Sequence, residues 1–322
     1  MRVRLVSRPA ILEASKAESR AHEQGHAIGR QKLIGHLAML GFAALVSGSY
    51  SIGAMAAPHI GPGAINAVRF VFGIAVMATA VALLNRGRIP GPRAPWRFAV
   101  LGLLMAVFFI TMFMALRLTT PVSTGAVFTL MPLMAAGFGF LFLGEVPRRI
   151  VIASLLVAAC GAIWVIFRGD LDALLAFDLG TGELIFIIGV ACHAAYAPLV
   201  RRLHRGEPVV VFTLWTLFAT GSWIALYSVR EILATDWTSL PAIVWIAVGY
   251  LAVFTTAGTT FLVQFGAMRL PAAKVMAYNY LTPSFVILYE GLLGHGWASG
   301  AVAAGALVTM AALVVLAMSP DR

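Results

Sequence analysis

The sequence predicts an all-α integral membrane protein: ten transmembrane helices arranged as two five-helix repeats of opposite orientation. Three observations carry this: the composition, ten apolar runs of membrane-spanning length, and a set of short matches that recur at one offset. Of 322 residues, 61% are hydrophobic and 11% charged, with a mean hydropathy of +0.92. Ordinary soluble domains carry about 25% charged residues, so lipid has to cover this much apolar surface. The formal charge of +10 is spread over short segments between apolar runs. That distribution fits membrane orientation rather than nucleic-acid binding.

A transmembrane helix takes about 20 mainly apolar residues. The qualifying segments are 33–55, 62–84, 97–116, 119–143, 149–167, 181–200, 209–229, 242–268, 270–293 and 297–317. Most breaks carry proline, glycine or charge, as in Pro58-His59-Ile60-Gly61-Pro62 and Pro147-Arg148-Arg149. The third and fourth spans part only around Arg117, the eighth and ninth only around Arg269. No stretch alternates with the two-residue period of a barrel strand. Residues 1–32 form a polar, mixed-charge tail unlike a signal peptide, expected to be disordered or surface-lying. Cys160 and Cys192 each sit in an apolar run and predict two buried thiols, with no disulfide framework.

Charge sets the expected orientation. With the N-terminus inside, the cytosolic segments hold 18 Lys and Arg against 3 outside (Arg117, Arg168, Arg230), while Arg69 and Lys274 lie within spans. The bias predicts a multi-pass protein of the cell inner membrane with both termini cytosolic.

The chain also repeats itself. Phe113-x-Ala115-x-Arg117-Leu118 recurs 152 residues later as Phe265-x-Ala267-x-Arg269-Leu270. Pro132 has its counterpart in Pro283, 151 later, and Leu143-Gly144-Glu145 in Leu293-Gly294-His295, 150 later. The offset covers five spans, an odd number, so the halves (33–167 and 179–317) must be inverted. Inverted repeats are the mark of secondary transporters, in which related halves exchange conformations around a central site.

Ser47-Gly48-Ser49-Tyr50, Asn66-x-x-Arg69-Phe70 and Pro132 leading to Leu143-Gly144-Glu145 resemble one EamA-type repeat of the drug/metabolite transporter superfamily. Ala194-Ala195-Tyr196 and Tyr280-Leu281-Thr282-Pro283 resemble the other. The resemblance spans about 33–317 and implies ten helices in two inverted units and, for many relatives, export of amino acids or other small metabolites. Ser47 replaces a tryptophan often found there, and His295 stands where Glu145 predicts a glutamate.

Polar residues kept inside a bilayer generally face the bundle interior or a cavity. Pro132 and Pro283 interrupt corresponding helices and free backbone carbonyls, either beside a substrate cavity or as packing kinks. Thr256, Thr260 and Gln264, four residues apart, predict a cavity stripe, although helix–helix hydrogen bonding gives the same pattern. In the ninth span Asn279, Pro283, Val286 and Glu290 share a face, and Lys274 pairs with Tyr278. Glu290 could bind a substrate amine or a proton, or stand solvated at the mouth; Lys274 is expected to snorkel to headgroups. Arg69, one turn after Asn66, could meet a substrate carboxylate or brace helices. His193 and Tyr196 offer a titratable group and an aromatic wall, with Tyr50 at the matching place of the first half; a satisfied core histidine is the alternative. Trp215 reads as packed or lipid-facing.

No Walker-type loop and no His-Glu-x-x-His occurs, so no cofactor, metal or catalytic residue is expected. Small four-helix relatives use a first-helix glutamate for proton exchange, but span 33–55 holds no carboxylate. The expectation is gradient-driven movement of a small molecule without obligatory proton exchange. Drug efflux, metabolite uptake and an intramembrane lipid-modifying enzyme are the alternatives. The partners expected are the substrate and the lipid bilayer, not nucleic acid; a monomer is compatible with the sequence, which fixes no oligomeric state.

Overall fold

The computed structural model describes residues 29–319 except 57, 117, 120, 178, 293, 295, 296 and 298; within helices it leaves undescribed the side chains of residues 50, 51, 54, 113, 116, 121–123, 126 and 290. The tail before Gly29, Arg117, His295 and the C-terminal Arg322 therefore lie outside the described residues. The first half contains α1 (Arg30–Ala56), α2 (Pro62–Leu84), α3 (Trp96–Leu116), α4 (Pro121–Phe128), α5 (Met131–Leu143), α6 (Arg149–Ile166) and the short α7 (Leu171–Leu175). The second contains α8 (Thr181–Leu203), α9 (Val209–Tyr227), a short α10 (Val229–Ala234) and α11 (Ala242–Tyr250). A π-helical segment (Leu251–Gly258) continues α11 into α12 (Thr259–Ala267). There follow α13 (Ala272–Ala277), a 3₁₀ segment (Tyr278–Leu281), α14 (Thr282–Leu292) and α15 (Gly300–Met318). No strand occurs among the described residues.

Local chemistry sets several ends. Pro62 opens α2, where its missing N–H costs nothing. Gly144 closes α5 in the left-handed conformation at φ 68°. Ser299 caps α15 by accepting from the Val302 N–H at 3.4 Å.

By length and composition, seven described helices can cross a membrane: Arg30–Ser49, Pro62–Leu84, Arg149–Ile166, Thr181–Leu203, Val209–Tyr227, Ala242–Ala267 and Gly300–Met318. Trp96–Met112 and Met131–Leu143 are apolar but shorter. The expected span 119–143 is two helices, since α4 ends at Phe128 and α5 begins at Met131, with Pro132 in its first turn. Pro283 likewise stands in the first turn of α14, after the 3₁₀ segment. A proline there removes an intrahelical bond and splits an apolar run into shorter pieces.

The two halves pack as exchanged copies. Helix α3 lies along α8, and the α11–π–α12 rod lies along α1. Similarly α5 packs on α8 while α14 packs on α1, and α9 packs on α3 while the π segment packs on α2. Two pairings are their own images: α2 with α9, and α6 with α15. The repeated motif shows the same exchange at atomic scale. A Cβ on Gly182 would stand 3.2 Å from Leu118 Cβ, and one on Gly35 would stand 3.2 Å from Arg269 Cβ and Leu270 Cγ. Leu118 and the Arg269-Leu270 turn thus each rest on a glycine at the start of the other half. Where the halves cross, Tyr280 donates to the Thr129 carbonyl at 2.8 Å. These residues are 151 apart, the proline offset, so a carbonyl at the Pro132 break is satisfied by its own counterpart.

Helix α6 meets α15 through small residues: a Cβ on Gly161 would stand 2.8 Å from the Gly305 carbonyl oxygen. Close backbone approach of this kind supplies the packing that drives helix association in lipid. The opposite face of α6 is open, and Cys160 lies on it, exposed, with Cys192 intermediate. The expectation of two buried thiols is corrected for Cys160: an apolar run on a lipid-facing side hides a thiol from water without burying it in protein.

Candidate functional site

Three helices meet at a buried hydrogen-bonded chain. Gln264 of α12 is fully buried; its Nε2 donates to the Tyr196 hydroxyl of α8 at 2.7 Å, and its Oε1 accepts from Thr213 of α9. Thr213 belongs to a stripe on α9 with Thr216 and Thr220, all buried and each bonded to the carbonyl one turn back. The helical spacing of that stripe was visible in the sequence, yet Thr213 was not among the expected site residues.

The predicted stripe of α12 is divided by the π-helical segment, whose wider turn breaks the four-residue register. Thr256 is fully buried in it, Gln264 is buried beyond it, and Thr260 is half-buried. Thr256 packs its methyl under Gly73 of α2, where a Cβ would stand 2.9 Å away, and its hydroxyl has no partner among the described residues. Single π-helical stretches inside helices recur at functional sites.

Arg69 lies one turn from Gly73 on α2. Only 9% of it is exposed, and among the described residues it has no hydrogen bond or ion pair; its Nε is buried without a partner. Its guanidinium lies 4.6 Å from the Phe109 ring centroid and 5.5 Å from that of Phe70. Such contacts are worth about 1–2 kcal/mol, whereas an unpaired buried ion costs several. The rings therefore offset only part of the cost of holding this cation. One turn earlier, Asn66 donates to the Pro62 carbonyl at 2.7 Å and leaves its Oδ1 buried without a partner. On the far side of the phenylalanine pair, His193 stands 4.4 Å from Phe108, its Nδ1 also unpartnered. Phe108 and Phe109, adjacent on α3, thus separate two buried basic side chains from α2 and α8. These phenylalanines carried no sequence signal beyond apolarity.

A pocket of about 110 Å³ opens at the α2 N-terminus, lined by Pro62, Asn66, Phe109, Ile110, Tyr227 and Glu231. Glu231 accepts from the N–H groups of Gly63 at 2.9 Å and Ala64 at 3.3 Å. A carboxylate at that position is favoured by the helix dipole and satisfies two orphan donors. Gly63 permits it, since a Cβ there would lie 2.5 Å from Glu231 Oε2.

In the ninth span Tyr278 bonds to His36 Nδ1 at 2.9 Å, and Asn279 donates to the Met276 carbonyl at 2.9 Å while its Oδ1 stays unpartnered. Lys274 does not snorkel: it is 1% exposed and donates to the Ser319 carbonyl at 2.6 Å, because the end of α15 lies within reach. Trp215 is packed, donating to the Pro90 carbonyl at 2.9 Å. The side chains of Tyr50 and Glu290 lie outside the described residues.

The loops at the basic face are tied together. Arg97, fully buried, pairs with Glu207 at 2.8 Å. Burial pushes the Glu207 carboxyl up, but hydrogen bonds from Arg97 and from backbone N–H groups, with the charge of Arg97, outweigh it and hold the group below its ordinary value. Glu145 pairs with Arg201 at 2.9 Å and accepts from the Ala272 N–H at 3.1 Å, joining the α5–α6 turn to α8 and α13. Of these acids the sequence singles out only Glu145, within the Leu143-Gly144-Glu145 motif.

Comparison with known proteins agrees with this architecture. The family model for EamA-like transporters matches residues 33–167 and again 180–318. The uncharacterized transporter YyaM of Bacillus subtilis strain 168 is 21% identical over 262 residues, covering 80% of this chain and 86% of the relative. A solved protein structure superposes on 89% of this chain and 96% of its own with a TM-score of 0.71 at 21% identity, a likeness of fold. With two exchanged halves around a buried polar centre, and both halves matched by one family model, the chain belongs to the EamA-like transporter family, as a multi-pass membrane protein of small-molecule transport.

Proposed function

We propose that the chain is a secondary transporter exporting amino acids or similar small metabolites across the cell inner membrane by alternating access, with ten crossings and both termini cytosolic. The observation that carries this is the set of buried, unpartnered polar atoms (Asn66 Oδ1, Arg69 Nε, Thr256 Oγ1, His193 Nδ1) held between halves whose packing is interchangeable. Buried polar groups cost free energy unless satisfied, and a passing polar solute would satisfy them. The ten-crossing count treats α3, α4 with α5, and α13 with α14 as spans, kinked where the prolines fall. Orientation follows the 18-to-3 distribution of basic residues. Substrate coupling is expected to be gradient-driven, with no obligatory proton exchange.

Counterflow in proteoliposomes against a panel of labelled amino acids is the direct test. Exchange of at least one of them is expected; exchange of none, with drugs or other solutes moving instead, would replace the substrate assignment. A pH gradient without a substrate gradient should drive no concentrative uptake. Uptake that appears and then vanishes in Glu290→Gln would make Glu290 the coupling residue.

A further inference from the structure

The transporter reading leaves open what chemical group the centre grips, and the geometry at α2 answers that. We propose that Arg69, Thr256 and Asn66 form a head-group site for a small-molecule carboxylate that also carries an O–H or N–H donor, an inference that rests on the transport reading above.

Arg69 is a guanidinium nine-tenths buried, without a carboxylate or carbonyl acceptor among the described residues, and flanked by the faces of Phe109 and Phe70. A helix-bracing arginine would spend its N–H groups on carbonyls of its neighbours. This one spends none. Guanidinium recognises carboxylate through paired N–H donors in a fixed fork, and aromatic faces hold that fork in place without competing for those donors. One turn along α2, at Gly73, the buried Thr256 presents a hydroxyl with no partner, able to donate to the same anion. One turn the other way, Asn66 Oδ1 is an acceptor with no donor. Two donors and one acceptor along the seam between α2 and the π-helical segment match a solute with an anionic group and a nearby hydroxyl or amine. The Glu231-rimmed pocket at the α2 N-terminus adjoins the site, since its lining includes both Asn66 and Phe109. That carboxylate already accepts from two backbone N–H groups, so it does not need Arg69 as a partner.

The probe pair is lactate and lactamide, which differ in the charged head and share the hydroxyl. In purified protein at constant ionic strength, lactate is expected to raise the thermal midpoint saturably and lactamide to leave it unmoved. R69M should abolish the lactate shift, R69K should retain it with affinity at least about tenfold weaker, and T256V should weaken it several-fold. Equal stabilisation by lactamide, or an R69M protein that elutes monodisperse and still responds, would overturn the site. Where R69M does not fold, the wild-type comparison of the two probes decides. An anionic lipid offers a similar oxyanion, so the titration is repeated in nanodiscs of zwitterionic lipid with and without phosphatidylglycerol. A midpoint raised by phosphatidylglycerol and by no carboxylate would overturn the inference in favour of a headgroup. Proteoliposome counterflow separates this from the transport reading: exchange of neutral or cationic solutes but no carboxylate sinks the site and leaves transport standing. Arg69-dependent lactate binding with no exchange of any solute supports the site and sinks transport.

Discussion

Gln264 holds three helices through one side chain, and its removal has a calculable consequence. In Gln264→Leu the Tyr196 hydroxyl loses its donor where water does not reach, while Thr213 keeps its bond to the Val209 carbonyl. Unsatisfied buried groups cost about 1–3 kcal/mol each, so the variant should unfold at a clearly lower temperature in detergent. Thr260→Val, at a half-buried position with no hydrogen bond among the described residues, should change the midpoint little. Equal midpoints for the two variants would show that the chain does not hold the helices. Glu207 offers a pH handle at the basic face. Its carboxyl is held below the ordinary value, so the pairing with Arg97 contributes fully above the unfolded-state value and is lost as pH falls through the lower folded-state one. Protection of the 204–208 loop from proteolysis should therefore persist at neutral pH and fade in acid, and in Glu207→Gln should be weak throughout. Arg69 and Gln264 stood out in the sequence because a charged or amide group inside an apolar run is visible there. The rings around Arg69 and the partner of Lys274 were not, since contacts between distant segments leave no local mark.

Among the elements, the broken helices were the most legible. Proline removes one donor and clashes with the preceding turn, so Pro132 and Pro283 announced interruptions that α4–α5 and α13–α14 display. The π-helical segment was not legible: Leu-Ala-Val-Phe-Thr-Thr-Ala-Gly has no feature that separates it from an ordinary apolar helix, and its wider turn appears where α2 packs against it. The break at Pro132 is closed by the other half, through Tyr280 and the Thr129 carbonyl. Tyr280→Phe should thus cost about 1–3 kcal/mol, read as a lowered unfolding midpoint with the helix content unchanged, whereas a tyrosine bonded only to lipid or water would give no shift. The α6–α15 contact makes a sterically stronger statement. Gly161→Leu would drive a side chain into the Gly305 and Thr309 backbone, which overpacking data place at about 1–3 kcal/mol or more. Gly137, with nothing near its Cβ position, is the matched control on α5. Equal expression and equal midpoints for Gly161→Leu and Gly137→Leu would contradict the close crossing.

At the scale of the molecule, exchange symmetry of the packing coexists with an asymmetry in what ties the ends. At the basic face Glu145 joins the α5–α6 turn to Arg201 of α8 and to the Ala272 N–H at the start of α13, and Arg202 donates to the Phe142 carbonyl at 3.0 Å. By the repeat offset, the corresponding turn at the opposite face reads Gly294-His295, with no carboxylate to make the same tie. The pocket rimmed by Glu231 opens at that opposite face. The alternating access proposed above would require the Glu145 tie to break when the basic face opens, so its strength would set the balance between the two states. In Glu145→Gln the charge that holds Arg201 is gone, while an amide oxygen remains to accept from Ala272. Both partners of the pair keep about 15% of their side-chain surface exposed, which limits the loss to about 1 kcal/mol of bias. That corresponds to about a 5-fold shift in the ratio of states. The reporter is a single cysteine at Thr260, with Cys160 and Cys192 replaced, probed by a membrane-impermeant thiol reagent in vesicles of each orientation. Labelling from the basic face should rise several-fold in Glu145→Gln, and labelling from the opposite face should fall. Labelling unchanged from both faces would mean that Glu145 only stabilises the fold, and that the gate at this end is built from other residues.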